Sequence, residues 1–413
     1  MSLLWACVAA TVASDALADD WPQWNGRNRD GKSADTGLLA EWPADGPRLA
    51  WKATGFGHGY SAVAVAGGRL YTMGDKSETG WVIAASADDG KILWSAKVDA
   101  PGSPSMPGYD FPGPRCTPTV DGDLIFALDA WGELIGVRAS DGKEQWRRNL
   151  AKDFGGTPPT WGYSESPLVD GQQVVVTPGG PKGALVAVKK NNGALLWQSA
   201  PFTDPAHYSS MVPTQIDGVR QYVQLTAASV AGISANDGSL LWKAARPGNV
   251  AVIPTPLVAG NQIYVTSGYG AGCNLFKVTR SGGRFSAEQV YANHVMGNHH
   301  GGVVQVGQCI YGYSDGKGLT CQDASTGQAL WAEKAAIKKS SVSYADGKLY
   351  CREEDTGAVV LVDAAPGAYH ERGRLQQPDR RPEKAWTHPV IANGKLYLRD
   401  QDLLLCYDLT AAP

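Results

Sequence analysis

The chain has 413 residues, enough for two or three ordinary domains or for a single long repeat array. Its 37 basic and 40 acidic residues nearly cancel, which argues against nucleic acid or an anionic lipid surface as an electrostatic partner. Fifty Gly and 25 Pro, with no long helical periodicity, predict many short strands joined by turns.

The chain opens on an apolar run, Leu3 to Ala13, followed by Ala16-Leu17-Ala18 and then Asp19-Asp20-Trp21. This reads as a signal peptide over 1–18, too short to span a bilayer, and predicts an exported protein of the periplasm or cell envelope. No Lys or Arg precedes the run, which leaves room for a start further upstream. Leu4-Trp5-Ala6-Cys7 faintly resembles a lipoprotein box, so lipidation at Cys7 stays open. Residues 19–48 are rich in Pro, Gly and polar side chains and are expected to form an irregular arm pinned by Trp21, Trp24 and Trp42.

From Leu49 onward one phrase returns. Ala87-Asp-Asp-Gly-Lys-Ile-Leu-Trp94 is echoed by segments ending on Trp146, Trp197, Trp242 and Trp331. The last interval is about twice the others, so one Trp is missing from the series. A second phrase is in step with the first. Asp121-Gly122, Asp170-Gly171, Asp217-Gly218, Asp346-Gly347 and Asn393-Gly394 each join two short apolar runs, as tight hairpin turns do. With Gly67-Gly68, Gly260-Asn261 and Gly307-Gln308 in the equivalent places, eight turns at a mean step of about 47 residues imply eight four-stranded units. The fold expected over 49–413 is all-β, an eight-bladed β-propeller of antiparallel blades. The last unit has three strands and Leu49–Ala53 is an orphan, so the N-terminal strand should pair with the C-terminal blade and close the ring. The repeated Trp and Gly are read as packing between blades, and the Asp of each turn as turn chemistry.

In such a wheel, residues just before each innermost strand ring one mouth of the channel. Those positions hold His58 and Tyr60, then Arg115, then Trp161, Tyr163 and Glu165, then His207 and Tyr208. Asn249 follows, then His299 and His300, Lys338 and Lys339, and finally Trp386 and His388. Five of the seven His fall here, which points to a polar ligand pocket or to a hydrated channel lining. In the pocket reading Arg115 and Lys339 meet anionic groups, His299 and His388 hydrogen-bond or move protons, and Tyr163, Glu165 and Tyr208 orient the ligand. His299-His300 together with His58, His207 or His388 could bind a divalent metal, but adjacent His residues on a strand face opposite ways, so that pair alone chelates poorly and no metal site is expected. Six Cys remain after the signal, with no C-x-x-C motif. Cys309 and Cys321 lie symmetrically about Ser314-Asp315-Gly316, so a disulfide across that hairpin stays open beside buried free thiols.

The phrase Asp323-Ala-Ser-Thr-Gly327-Gln-Ala-Leu-Trp331 and its copies resemble the tryptophan-docking repeat of the PQQ-like (quinoprotein-type) β-propellers, over nearly all of 49–409. That resemblance implies either quinoprotein alcohol and sugar dehydrogenases, which hold pyrroloquinoline quinone (PQQ) and Ca²⁺ at the channel, or cofactor-free scaffolds similar to BamB. The dehydrogenases carry a vicinal Cys-Cys pair, absent here, and a calcium-binding Glu after a Gly-Gly turn. The nearest match, Thr177-Pro-Gly-Gly-Pro-Lys182, has Lys at that place, which would repel Ca²⁺. The expectation is therefore a monomeric, non-catalytic binding or scaffold protein without a cofactor, with no transmembrane segment and no nucleic-acid partner. Its partner would be an envelope protein or a small-molecule or carbohydrate ligand. A quinone-dependent dehydrogenase with an atypical site and a dedicated carbohydrate binder are the alternatives.

Overall fold

A computed structural model describes residues 20–77, 79–99 and 113–410. The segment 1–18, expected to be a signal peptide, and Cys7 within it lie outside them. Eight four-stranded antiparallel sheets stand around an axis, seven of them with strands A to D in chain order. The A strands of neighbouring blades touch one another around the channel, for example Ala64–Ala66 with Thr119–Asp121, and Ser340–Ala345 with Val390–Ala392. The eighth blade takes its outer strand from the start of the chain: Leu49–Ala53 runs antiparallel to Leu403–Asp408, with Ala53 opposite Leu404. This splice closes the ring and leaves neither end of the array as a bare sheet edge.

The local chemistry accounts for the wheel. At the A–B turns, Asp217, Asp346 and Asn393 take φ of 46°, 47° and 56°, each followed by a Gly that is also left-handed. Two consecutive positive φ values make the turn type whose twist matches a hairpin, and Asp-Gly or Asn-Gly adopts it at least cost. Strands C and D are bulged at the same place in seven blades, for example between Ala84 and Ala85 and between Gly136 and Val137. The extra residue increases the twist of the outer strand.

The repeated Trp then leaves its own blade, except for Trp242, which donates to Gln221 Oε1 within it at 2.6 Å. Trp94 donates its indole N–H to Ala139 O of the next blade at 3.1 Å, and a Cβ on Gly142 would lie 2.5 Å from its ring. Trp51 repeats this on Ala87 and Gly90, and Trp146 on Lys190 and Gly193. The Trp and the Gly of the phrase are thus two halves of one joint between blades. The fifth blade lacks the Trp and has Tyr291 there, whose hydroxyl donates to Ala324 O at 3.0 Å beside Gly327.

The six cysteines Cys116, Cys273, Cys309, Cys321, Cys351 and Cys406 are buried free thiols. The Cys309–Cys321 disulfide is not formed. The hairpin is centred one residue later than its sequence symmetry suggests, so Cys309 faces Asp323 and Cys321 faces Tyr311.

Candidate functional site

The arm decides the shape of the channel. Trp21 O accepts from Val65 N and Pro22 O from Val120 N, both at 2.8 Å, which ties the arm to the A strands of the first two blades. Across the ring, Tyr344 N donates to Gly31 O and its carbonyl accepts from Ser33 N, both at 2.9 Å. Between these anchors the chain crosses the channel. Trp24 sits at the centre, with its Nε1 donating to Thr255 Oγ1 at 2.9 Å and its ring 4.7 Å from the His388 imidazole. Arg29 is buried behind it and donates to Ser166 O at 2.7 Å and Pro167 O at 3.0 Å. The far end of the channel is closed by the arm, and a cavity of about 320 Å³ remains on the D–A loop face.

Trp24 lines the cavity from the arm side, and Tyr60, Trp161, Tyr208, Tyr269 and Trp386 stand in its wall. The rings support one another: Tyr60 and Trp386 are 5.0 Å apart, Trp161 and Tyr208 5.8 Å. Among the described residues of the wall, Arg115 is the one Arg or Lys. Its guanidinium lies 5.6 Å from the Tyr60 ring centroid and donates to Trp161 O at 3.1 Å. Three histidines, His299, His300 and His388, complete the polar part together with Ser164 and Ser210.

These histidines are tied to fixed partners. His300 Nε2 meets Glu354 Oε2 at 2.6 Å, and the same carboxylate oxygen accepts from Trp386 Nε1 at 2.9 Å. Burial pushes the Glu354 carboxyl up, but the hydrogen bonds from His300 and Trp386 and the nearby Lys339 more than reverse this and hold it at about 2. His299 Nε2 lies 2.8 Å from the Tyr269 hydroxyl, and burial, with His300 and Lys339 nearby, pushes its imidazole down to about 4. His388 is pushed down to about 4 as well, chiefly by burial. Its Nε2 faces His300 O at 3.1 Å, so that nitrogen carries the hydrogen and Nδ1 is left as an acceptor.

Of the residues singled out in the sequence, Tyr60, Arg115, Trp161, Tyr208, His299, His300, Trp386 and His388 converge on this cavity. The others do not line it, and five of them are held by partners elsewhere. His58 is exposed and its backbone pairs with Asp75. His207 Nδ1 accepts from Val252 N at 2.9 Å, which braces the loop behind Tyr208. Tyr163 is buried in the core with its hydroxyl on Pro178 O. Glu165 is also buried and accepts from the Thr177 amide and hydroxyl; burial raises it to about 7 against the pull of those bonds and of Arg29. Lys339 pairs with Asp315 at 3.1 Å. Among the described residues, no group of three or more His, Cys, Asp or Glu is arranged to hold a metal ion.

Two wall residues escape a blade-by-blade count of the D–A loops. Trp24 comes from the arm. Tyr269 comes from a B–C turn, Gly268-Tyr-Gly270, where it takes φ of 56° and its carbonyl accepts from Asn249 Nδ2 at 3.2 Å. B–C turns open on the same face as D–A loops, so counting both would have found it.

A family model described as outer membrane protein assembly factor BamB matches residues 36–129 and 79–333 of the sequence, more than half the chain. The chain belongs to this PQQ-like β-propeller family. No curated protein matches the sequence significantly. Solved structures of the same fold include BamB from Moraxella catarrhalis, 15% identical, with a TM-score of 0.63 over 88% of this chain and 98% of that one. Quinohemoprotein alcohol dehydrogenase from Comamonas testosteroni is 12% identical, with a TM-score of 0.64 over 97% of this chain and 82% of its own. A europium-containing methanol dehydrogenase is 12% identical, with a TM-score of 0.52 over 94% and 89%. Both branches of the family share the wheel. No helix among the described residues is long and apolar enough to cross a membrane.

Proposed function

We propose that this chain is a non-catalytic binding protein of the cell envelope, which holds a ligand or an inserted segment of a protein partner in the cup on the D–A face. The observation that carries the reading is Trp24 seated against His388 and Thr255: the family's channel becomes a blind, aromatic cup. A general acid or base works best with a pKa near the operating pH and within reach of substrate. In this wall His299 and His388 are held far below neutrality, while Glu165, raised to about 7, sits outside the cavity lining. An envelope location is supported by the matched family's description and by the apolar N-terminal run.

The alternative is a quinone-dependent dehydrogenase, and the residues present do not fit its cofactor. Ca²⁺ takes six to eight oxygen ligands, carboxylates prominent among them. No Asp or Glu lines the cavity among the described residues, and Glu165 is spent on Thr177. Lys182, at the place of the expected carboxylate, is exposed. PQQ carries three carboxylates, against which the described residues of the wall offer one guanidinium, that of Arg115.

The test is to titrate the mature protein with PQQ and Ca²⁺, following quinone absorbance and Tm, and then to add alcohols and sugars with an artificial electron acceptor. No saturable binding and no turnover are expected. Quinone binding that raises Tm, or turnover, overturns the reading.

A further inference from the structure

The surface that the wall offers narrows the class of ligand, an inference that rests on the cup being a binding site. We infer that the cup takes a flat aromatic ring, held by contact with the rings of the wall and not by hydrogen bonds. A free aromatic compound and an aromatic side chain of a peptide share this chemistry.

The polar groups of the wall are taken up inside the protein. Trp24 Nε1 donates to Thr255 Oγ1, Trp386 Nε1 donates to Glu354 Oε2, and the Tyr269 hydroxyl is joined to His299 Nε2. The Tyr208 hydroxyl accepts from Trp161 N at 3.3 Å, and Ser210 Oγ accepts from Ser166 N at 2.9 Å. Ser164 Oγ donates to Gly162 O at 3.4 Å, and Arg115 donates to Trp161 O. His300 and His388 meet Glu354 Oε2 and the His300 carbonyl through Nε2, and their Nδ1 atoms are buried out of a ligand's reach. An occupant rich in hydroxyl groups would lose its water and find these partners engaged, at the full desolvation cost of each group left unpaired.

Aromatic side chains make up most of the rest of the wall, together with Ala251 and Ile253. Tyr60 and Trp386 form one tilted pair at 42°, and Trp161 and Tyr208 another at 47°. A further ring entering the cup meets both pairs, and aromatic rings favour offset and edge-to-face neighbours over other apolar contacts of the same area. Size agrees: an apolar cavity of about 150 Å³ holds benzene, so the cup, about 320 Å³, has room for two fused rings. The rim adds a second apolar surface. Val250, next to Ala251 of the wall, is 51% exposed at φ of 51°, a backbone that a β-branched residue rarely adopts. Tyr269 is 42% exposed, and Asn249 Nδ2 donates to its carbonyl, which ties the two loops together. Backbone strain here holds two large apolar side chains in solvent beside the cup, where a chain carrying the ring would cross them.

The experiment titrates the full mature chain with indole and p-cresol as free rings and with N-acetyl-tryptophanamide and a Gly-Gly-Trp-Gly-Gly peptide as chain-borne ones. Methyl glucoside and tetramethylammonium serve as comparators, and isothermal calorimetry and Tm are the readouts. At least one aromatic probe is expected to bind saturably, with the negative heat-capacity change of apolar burial, and to raise Tm. Trp161→Ala should weaken that binding about tenfold through loss of a ring contact. Ser164→Phe puts a ring of the chain's own into the cup and should abolish binding while the protein still melts cooperatively. Val250→Gly separates the two sources: it weakens the peptide and spares indole where the ring arrives on a chain, and it spares both where the ring arrives free. No binding of any aromatic probe overturns the inference. So does binding that Trp161→Ala and Ser164→Phe both leave unchanged, which would place the ring elsewhere on the molecule. Binding of methyl glucoside or tetramethylammonium with the aromatic probes inert overturns the ring assignment but keeps the cup as a binding site. Turnover of a bound probe with an artificial electron acceptor overturns the non-catalytic reading while the ring assignment stands.

Discussion

The Trp24 indole and the His388 imidazole pack 4.7 Å apart at the middle of the ring, although 364 positions separate them in the chain. One comes from an arm without regular strands and the other from the loop before the last innermost strand. Their contact turns a channel into a cup. Trp24→Ala removes the ring and its bond to Thr255 and should reopen the channel toward the arm face. Because Trp24 is only partly buried, the loss should be about 1–3 kcal/mol, below that of a fully buried Trp, read from the denaturation midpoint.

The joint between blades gives a paired prediction. Gly142 has φ of 73° and its Cβ would strike the Trp94 ring, whereas Gly122 has φ of 58° with nothing within 4 Å. Gly122→Ala should cost about 1 kcal/mol, the strain of a left-handed Ala. Gly142→Ala adds the displacement of an indole and should cost about 2–4 kcal/mol. Equal losses in chemical denaturation would show that the Trp contact carries no weight.

Glu165 makes stability fall across neutral pH. Its folded pKa, about 7, is above the ordinary 4.5, so the folded state binds more protons than the unfolded state between those values. The stabilisation linked to this proton is complete below about pH 4.5 and is lost as the pH rises through 7. Glu165→Gln keeps the shape and an acceptor for the Thr177 amide. It should flatten the Tm profile over that window and raise stability at about pH 8 by roughly 1–3 kcal/mol.

On the acid side the sign reverses. Glu354 is held at about 2, below its ordinary 4.5, so its stabilisation is present above 4.5 and lost as the pH falls toward 2. His388, pushed down from 6.5 to about 4, adds to this. The unfolded state takes up its proton first, so stability drops as the pH falls from 6.5 to 4. Glu354→Gln should lower Tm at neutral pH and reduce its acid dependence below 4.5. An unchanged acid limb would remove Glu354 from the account.

The thiols offer a simple check. With Cys309 opposite Asp323 and Cys321 opposite Tyr311, reductant should leave Tm unchanged, and all six described thiols should react only after unfolding. A fall in Tm on reduction would indicate a bridge.

The sequence alone was sufficient for the wheel, because the wheel is local. A turn of Asp-Gly, an alternating run, and a Trp at a fixed step from a Gly recur about every 47 residues, and each copy repeats the same physical instruction. Even the closure was legible, since Leu49–Ala53 is the one strand left over and the last blade lacks one. The cup was legible in part. His299, His300, His388, Tyr208, Tyr60 and Arg115 share one place in the repeat, and the repeat carries them to one mouth. The remainder depended on contacts between residues far apart in the chain. Whether a side chain at a loop position turns toward the cavity or toward a neighbour is set by partners such as Thr177 for Glu165 and Val252 for His207, which no spacing reveals. The path of the arm is the clearest case. Residues 20–48 carry no periodicity, so nothing local directs Trp24 to the axis. Its place follows from backbone bonds to Val65 and Val120 on one side and Tyr344 on the other, which exist only once the ring has formed.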